Sequence, residues 1–234
     1  MAFITNSGKT NMYHWVSHMH THLRGRCPHE CTYCYAIHCR ASKVYSGPQH
    51  LRSEELNVKY GKDKTIFIEH MADLFAYGVS DDNIKKILMH CREYPLNLYV
   101  FQTRNPGRML KFTRYMPPHY TVGTTIETNR EELTDKYSKA PSPLQRAEGM
   151  KLVRKEMRPY QTFLTVEPVL DFDVVQLVDL IETADPEWVN IGADSKNCGL
   201  IEPSAEKIRK LIEYLYHLDI EISNKTNLER ILGT

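Results

Sequence analysis

Long apolar runs are missing from this chain, and with them any stretch of membrane-spanning length. The amino-terminal MAFITNSGKT lacks a basic segment followed by an apolar core, so no secretion signal is read there and a cytoplasmic protein is expected. Excess charge of either sign is missing as well. With 30 lysines and arginines against 29 aspartates and glutamates, overall charge advertises neither nucleic acid nor an anionic membrane, and such a partner must be sought in a local patch. Repeats and low-complexity tracts are absent. Cysteine is scarce, and of the six present three crowd together while Cys39, Cys91 and Cys198 lie scattered. That distribution does not read as a disulfide framework. A length of 234 residues suits one α/β barrel and is short for two domains. We therefore read 1–234 as a single domain: a loose polar arm over 1–12, a barrel over 13–217, and a tail over 218–234 that packs on it.

The crowded stretch is Cys27-Pro28-His29-Glu30-Cys31-Thr32-Tyr33-Cys34. Three thiolates on one tight loop can ligate three irons of a 4Fe–4S cluster, leaving the fourth open, whereas the usual electron-transfer cluster takes four cysteines. An open position lets a metal site take a small-molecule ligand. A zinc site with His29, His38 or Cys39 as fourth ligand is the other reading, although zinc sites usually pair their ligands and no second pair follows.

The C-x3-C-x2-C spacing, with Tyr33 just before the last cysteine and Tyr35 just after it, resembles the signature of the radical S-adenosylmethionine (radical SAM) superfamily. The resemblance implies a 4Fe–4S cluster on Cys27, Cys31 and Cys34, S-adenosylmethionine on the open iron, and Tyr33 beside the adenine. It also implies a flavodoxin- or ferredoxin-type electron donor and a hydrogen-abstracting deoxyadenosyl radical.

Periodicity supplies the scaffold. Tyr13–Leu23 reads as a first strand whose alternating His18, His20 and His22 share one face, turned either to a barrel lumen or to hydrogen-bonding partners at an edge. The cysteine loop continues as a first helix through TYCYAIHCRASKVY, and residues 43–63 form an irregular insertion. Strands are expected at Lys64–His70, Leu96–Gln102, Tyr120–Glu127, Gln161–Glu167 and Trp188–Gly192. Helices are expected at Asp81–Glu93 behind an aspartate cap, after Pro106, and at Ser142–Met157, Phe172–Thr183 and Pro203–His217. Alternating strands and helices predict a parallel sheet, and six units match the partial (β/α)6 TIM-like barrel that the resemblance implies.

In such barrels chemistry gathers at the C-terminal ends of the strands. Glu69 and His70 follow the second strand, where the superfamily contacts the methionine amine, although many members carry Gly-Gly-Glu there. Arg104 follows the third and suits a carboxylate or phosphate. Thr124, Glu127 and Asn129 mark the fourth, the last two as ribose acceptors. Glu167 ends the fifth, as cofactor or substrate ligand. Gly192 and Asp194 end the sixth, as a cofactor contact and a catalytic candidate. Arg104, Arg108, Lys111 and Arg114, with Lys151, Arg154, Lys155 and Arg158, form either a phosphate-tracking stripe or solvated helix faces.

The segments HMADLF, QTRNPGRM, VGTTIETN, LTVEPVLD and VNIGAD further resemble a family of small radical SAM proteins encoded by bacteriophages and their hosts, over about Trp15 to Leu232. DNA hypermodification in phages makes a nucleotide or DNA base the expected substrate. Three alternatives stay open: a glycyl-radical-enzyme activase, a spore photoproduct lyase-like repair enzyme using Cys198, and a zinc-stabilised nucleic-acid-binding module.

Overall fold

In chain order the strands are β1 (Ile4–Thr5), β2 (His18–His20), β3 (Leu23–Arg24), β4 (His50–Leu51), β5 (Thr65–Ile68), β6 (Leu98–Thr103), β7 (Tyr120–Thr125), β8 (Gln161–Val166), β9 (Trp188–Ile191) and β10 (Glu221–Asn224). The helices are α1 (Tyr35–His38), α2 (Asp81–Arg92), α3 (Glu131–Tyr137), α4 (Pro143–Leu152), α5 (Val174–Ala184), α6 (Ala205–His217) and α7 (Glu229–Leu232). This computed structural model describes residues 3–8, 11–39 and 42–233. Residues 1, 2, 9 and 10 of the expected arm, Arg40 and Ala41 of the expected first helix, and Thr234 of the tail lie outside the described residues.

One sheet runs in the order β1-β2-β5-β6-β7-β8-β9-β10. Every pairing from β2 to β10 is parallel, and only β1 runs antiparallel, at the β2 edge. The fold is α/β, the partial barrel expected, with all six anticipated strands in sequence order. The tail adds a further parallel strand, β10, with Glu221 opposite Trp188. Its residues are exposed or half-buried, so they carry no hydrophobic alternation by which a sequence could announce a strand. The arm likewise contributes β1.

Strand side chains alternate between two environments, as the pleat requires. Ile66, Ile68, Tyr99, Phe101, Val122, Leu164, Val166, Val189 and Ile191 pack against Ile84, Leu88, Leu177 and Leu211 of the helices. Met19, Phe67, Val100 and Phe163 face inward, where Tyr13 and Val16 join them. The segment before β2 therefore fills the barrel interior. Trp15 lies edge-on to Phe163 and Trp188, which stack at 5.2 Å. Gly123 makes room for this plug, because a Cβ there would fall 2.2 Å from the Phe163 ring.

The histidine face turns away from the lumen, correcting that option. Met19 takes the inward position of β2, so His20 points to the helix layer and His22, beyond the strand, lies there too. His20 bonds Tyr60 Oη at 2.7 Å and Glu55 at 3.0 Å, and His22 bonds Glu69 at 2.7 Å and His90 of α2 at 3.2 Å. Burial lowers the His20 pKa to about 4. These are buried, hydrogen-bonded core histidines.

Helix starts and lengths also differ. Ser80, not an aspartate, caps α2 by accepting from Asn83 N, and Asp81 in the first turn pairs with Arg108 at 3.1 Å and with Lys111. The segment opened by Pro106 is a 3-10 helix, Pro106–Tyr115. The expected first helix is only the short α1, followed by a 3-10 turn at Ser42–Tyr45. Helix α4 begins with a capping box of Ser142 and Gln145, and Val153–Met157 continue it as a π-helical turn.

Candidate cofactor site at the barrel mouth

The cysteine loop is pinned from both sides. Backbone bonds from Glu30 N to Cys27 O (3.0 Å) and from Cys34 N to Cys31 O (3.2 Å) fold it into successive turns. Thr32 N donates to Tyr137 O at 2.9 Å, and His29 O accepts from Lys139 N at 2.7 Å, tying the loop to the end of α3. On the other side His29 Nε2 lies 2.9 Å from Asp73 Oδ2. Asp73 also accepts from Thr103 Oγ1, Phe75 N and Arg104 N, so one buried carboxylate joins the loop to the ends of β5 and β6. Burial opposes its charge, but His29 and these donors outweigh burial and hold its pKa below the ordinary value.

All three loop cysteines are free thiols, Cys31 buried and the others half-buried. Cys31 Sγ lies 3.1 Å from Ser138 Oγ. Burial pushes the Cys27 and Cys34 thiols above their ordinary range. A coordinating metal overcomes such a shift, because it deprotonates the thiol it binds.

Beside the loop sits a four-residue ionic group. Tyr33 Oη donates to Glu127 Oε1 at 2.7 Å, and Arg104 Nη1 donates to Tyr33 Oη at 3.0 Å. Arg104 also pairs with Glu127 directly, and its guanidinium stands 5.3 Å from the Tyr33 ring centroid. Arg146 Nη1 donates to Glu127 Oε2 at 2.6 Å. Glu127 and Arg146 are fully buried. Arg104 and Glu127 therefore meet as one unit around the tyrosine of the cysteine loop.

The remaining candidates are distributed as follows. Glu69 accepts from His22 N (2.8 Å), His22 Nδ1 (2.7 Å) and Leu23 N (3.2 Å), which engages both its oxygens. These bonds hold it in the left-handed region at φ 61°. His70 is half-buried, with Nδ1 2.8 Å from Thr21 Oγ1, and burial lowers its pKa to about 4. Thr124 shares the helix-side face of Val122 and donates to Thr103 O at 2.8 Å, so it does not point into the lumen. Asn129 is separated from Glu127: it brackets Asp173 at the start of α5, accepting from its N at 2.8 Å. Glu167 bonds Asn11 (2.6 Å), Asn227 (2.9 Å) and Lys225 (2.7 Å), drawing the tail and the segment before β2 over the mouth. Gly192 gives Glu167 its space, since a Cβ there would fall 2.8 Å from the carboxyl carbon. Asp194 accepts from Lys196 N and Cys198 N of its own loop.

Residues 12–199 match the family described as Protein of unknown function (DUF5131). The chain belongs to that family. No curated protein matches the sequence. Among solved structures the fold is similar to a spore photoproduct lyase variant, with a TM-score of 0.64 at 9% identity over 92% of this chain and 78% of that one. It is similar to a spore photoproduct lyase with bound AdoMet and dinucleoside spore photoproduct, at 0.56 and 12% identity over 88% of this chain and 64% of that one. It is also similar to Streptococcus suis SuiB, at 0.56 and 11% identity over 88% and 48%. The DUF5131 chain spans less than two thirds of the latter two. These likenesses establish the fold, the partial barrel of radical SAM enzymes.

Arg146 was missed by sequence reasoning, which placed only neighbouring cations on its helix. A signal was present: Pro143, Arg146, Ala147 and Met150 form the buried face of α4, so an arginine stands at a core position of the 3.6-residue pattern. Lys225 and Asn227 lie in the polar tail stretch expected to fold over the mouth, where neither is buried and no apolar pattern marks their roles. Part of the basic stripes is paired: Arg104 with Glu127, Arg108 and Lys111 with Asp81, and Arg154 with Asp185 and Glu187.

Proposed function

We propose that this DUF5131 chain is a radical SAM enzyme that binds a 4Fe–4S cluster through Cys27, Cys31 and Cys34. One observation carries the reading: three free cysteines at C-x3-C-x2-C spacing stand on a pinned loop beside the polar ends of parallel strands, in a fold shared with a lyase whose structure holds AdoMet. By type and spacing three thiols would leave one iron for another ligand, while among the described residues no group of three or more His, Cys, Asp or Glu side chains is arranged to hold a metal ion. When bound, cluster and S-adenosylmethionine supply reductive cleavage to a hydrogen-abstracting radical.

The chain's own residues bind and orient. Tyr33, fixed by Glu127 and Arg104, presents its ring next to Cys34 for the adenine. His70, neutral at pH 7, offers an uncharged imidazole at the mouth. Glu69 is committed to the backbone after β2, so it serves to hold the approach to the cysteine loop, and His70 is the better cofactor contact of the two. Glu167, held by Lys225 and Asn227 over Gly192, lies where substrate enters. A nucleotide or DNA base is the substrate class we favour, supported by the lyase's dinucleoside ligand. The electron donor is of flavodoxin or ferredoxin type and the setting cytoplasmic. No helix among the described residues is long and apolar enough to cross a membrane.

The test is anaerobic reconstitution with iron and sulfide, then dithionite and S-adenosylmethionine, with electron paramagnetic resonance for the cluster and chromatography for 5′-deoxyadenosine. Wild type should form both and Cys31→Ala neither. Stoichiometric zinc with no cluster would replace this reading with a binding module, and radical transfer to a glycyl-radical enzyme would make it an activase.

A second reading, lesion repair, rests on Cys198. Its Sγ lies 3.6 Å from His38 Nε2 on the mouth side, and burial followed by Asp194 raises its pKa, keeping the S–H that hydrogen donation needs. Dinucleoside spore photoproduct should then be converted by wild type and not cleanly by Cys198→Ala. No conversion by an otherwise active wild type rejects this reading.

A further inference from the structure

The sheet ends at β10, and beside that edge the surface carries an apolar groove of about 480 Å³. It is lined by Arg209, Ile212, Glu213 and Tyr216 of α6, Ile222 of β10 and Leu232 of α7. Helix α6 buries Ile208, Leu211 and Leu215 in the core, so the groove residues form a second stripe, one position further round the helix. Within that stripe Tyr216 is 74% exposed. None of Tyr33, Glu127 or Glu167 lines the groove, which is separate from the candidate cofactor site.

Its two charged side chains, Arg209 and Glu213, stand one helical turn apart. They do not pair with each other, and an arginine on the N-terminal side of its glutamate is the less favourable order for such a pair. Arg209 donates Nη2 to Leu232 O at 2.8 Å. The other cations of α6 are taken, Lys207 by Asp171 at 2.7 Å and Lys210 by Glu206 at 2.8 Å. Among the described residues neither Arg209 nor Glu213 has an ion-pair partner, so an apolar groove is flanked by one cation and one anion. A partner charged with a single sign would set a like charge against one of the two, whereas a surface bearing the same two charges in reverse order meets both. Two-fold symmetry supplies that surface. Turning a copy about an axis between Arg209 and Glu213 reverses its α6 and sets Arg209 against the partner's Glu213, and Glu213 against the partner's Arg209.

We propose that the groove between α6, β10 and α7 is the docking surface for a second copy of this chain, in a two-fold homodimer held by reciprocal Arg209–Glu213 pairs with Tyr216 as its aromatic anchor. Tyrosine and arginine are the side chains that most often carry binding energy at the centre of an interface, where water is excluded around them. Covering Ile222 also shields the open edge of β10, whose residues are exposed or half-buried. Because both copies use the same patch, the contact closes at two. It stands apart from the radical SAM reading, since no residue of the cysteine loop or the mouth takes part.

The experiment is sedimentation equilibrium of the full chain over a concentration series, with the circular dichroism of each variant recorded first. Wild type should pass from monomer to dimer with no larger species. Arg209→Glu and Glu213→Arg should each weaken the dimer by about tenfold or more, because each sets like charges against one another across the axis. Mixing these two variants restores opposite charges at both contacts, so a heterodimer should form with a dissociation constant within about threefold of wild type. Tyr216→Ser should dissociate the dimer and leave the circular dichroism unchanged. Should Arg209→Glu, which also loses the bond to Leu232, fail to fold, Glu213→Arg and Tyr216→Ser carry the test. A wild type that stays monomeric at every concentration overturns the proposal, as does a dimer that neither charge reversal weakens. Weakened single variants that do not recover on mixing overturn it too, and assign the two charges to a surface other than a second copy's. Rings or filaments in place of a dimer would show a head-to-tail contact and overturn the two-fold arrangement.

Discussion

The Tyr33 hydroxyl donates to Glu127 at 2.7 Å, joining residues 94 positions apart in the chain. One belongs to the cysteine loop and the other to the end of β7, so the bond couples the loop's shape to the barrel. Because Glu127 also holds Arg104 and Arg146, the ionic group organises the mouth and stabilises the fold together.

Removing its centre should therefore be expensive. Glu127→Ala leaves the buried Arg146 without a carboxylate, for which about 3–5 kcal/mol of destabilisation is expected. Tyr33→Phe removes the hydroxyl that donates to Glu127 and accepts from Arg104, while those two still pair directly, and about 1–2 kcal/mol is expected. Urea unfolding of both variants checks the difference; equal losses would contradict the assigned geometry.

Asp73 predicts an acid-side effect of definite sign. Its folded-state pKa lies below the ordinary 3.8, so its contribution is present above that value and is lost as pH falls through the folded one. The stability gap between wild type and Asp73→Asn should be widest near neutrality and should close below about pH 4. A gap that stays constant down to pH 2 would show that the carboxylate's charge is not what anchors His29.

His20 and His70 act in a higher window. Both have folded-state pKa values of about 4, so between about pH 6.5 and 4 the unfolded chain binds protons that the folded one refuses. Stability should fall with pH across that window, by roughly 3 kcal/mol at most for each histidine. His70→Gln should flatten the curve, as measured by denaturation at each pH, and an unchanged slope would assign the effect elsewhere.

Gly123 and Phe163 should behave as a coupled pair. Gly123→Ala forces a Cβ into the Phe163 ring, an overpacking for which about 1–3 kcal/mol is expected. Adding Phe163→Leu should recover part of that loss, giving a favourable coupling energy in a double-mutant cycle. Additive losses would place the clash elsewhere.

The barrel strands were legible in the sequence because each is a short β-branched or aromatic run followed by polar residues. Helices α2, α5 and α6 were legible from their apolar periodicity, which matches the face they bury, whereas α4 buries Arg146 and Gly149 and was placed by its position after β7. Where burial is weak the signal fails. Strand β10 has no buried residue, and His18, His20 and His22 alternate equally well for either face of β2. Which face they took was decided by Met19, Phe67 and Phe163 filling the interior around Tyr13.

By itself the sequence determined the α/β alternation and the three-cysteine loop, since periodicity and close spacing are local properties that survive in one dimension. Only the tertiary structure decided which polar residues meet. It brought Glu127 to Tyr33 and Arg146 and sent Asn129 to Asp173, although they are two positions apart. It committed Glu69 to the backbone of β2's extension and set Glu167 under Lys225. Those outcomes depend on strand register and on where a buried charge finds its partner, and both are settled by contacts between segments far apart in the chain.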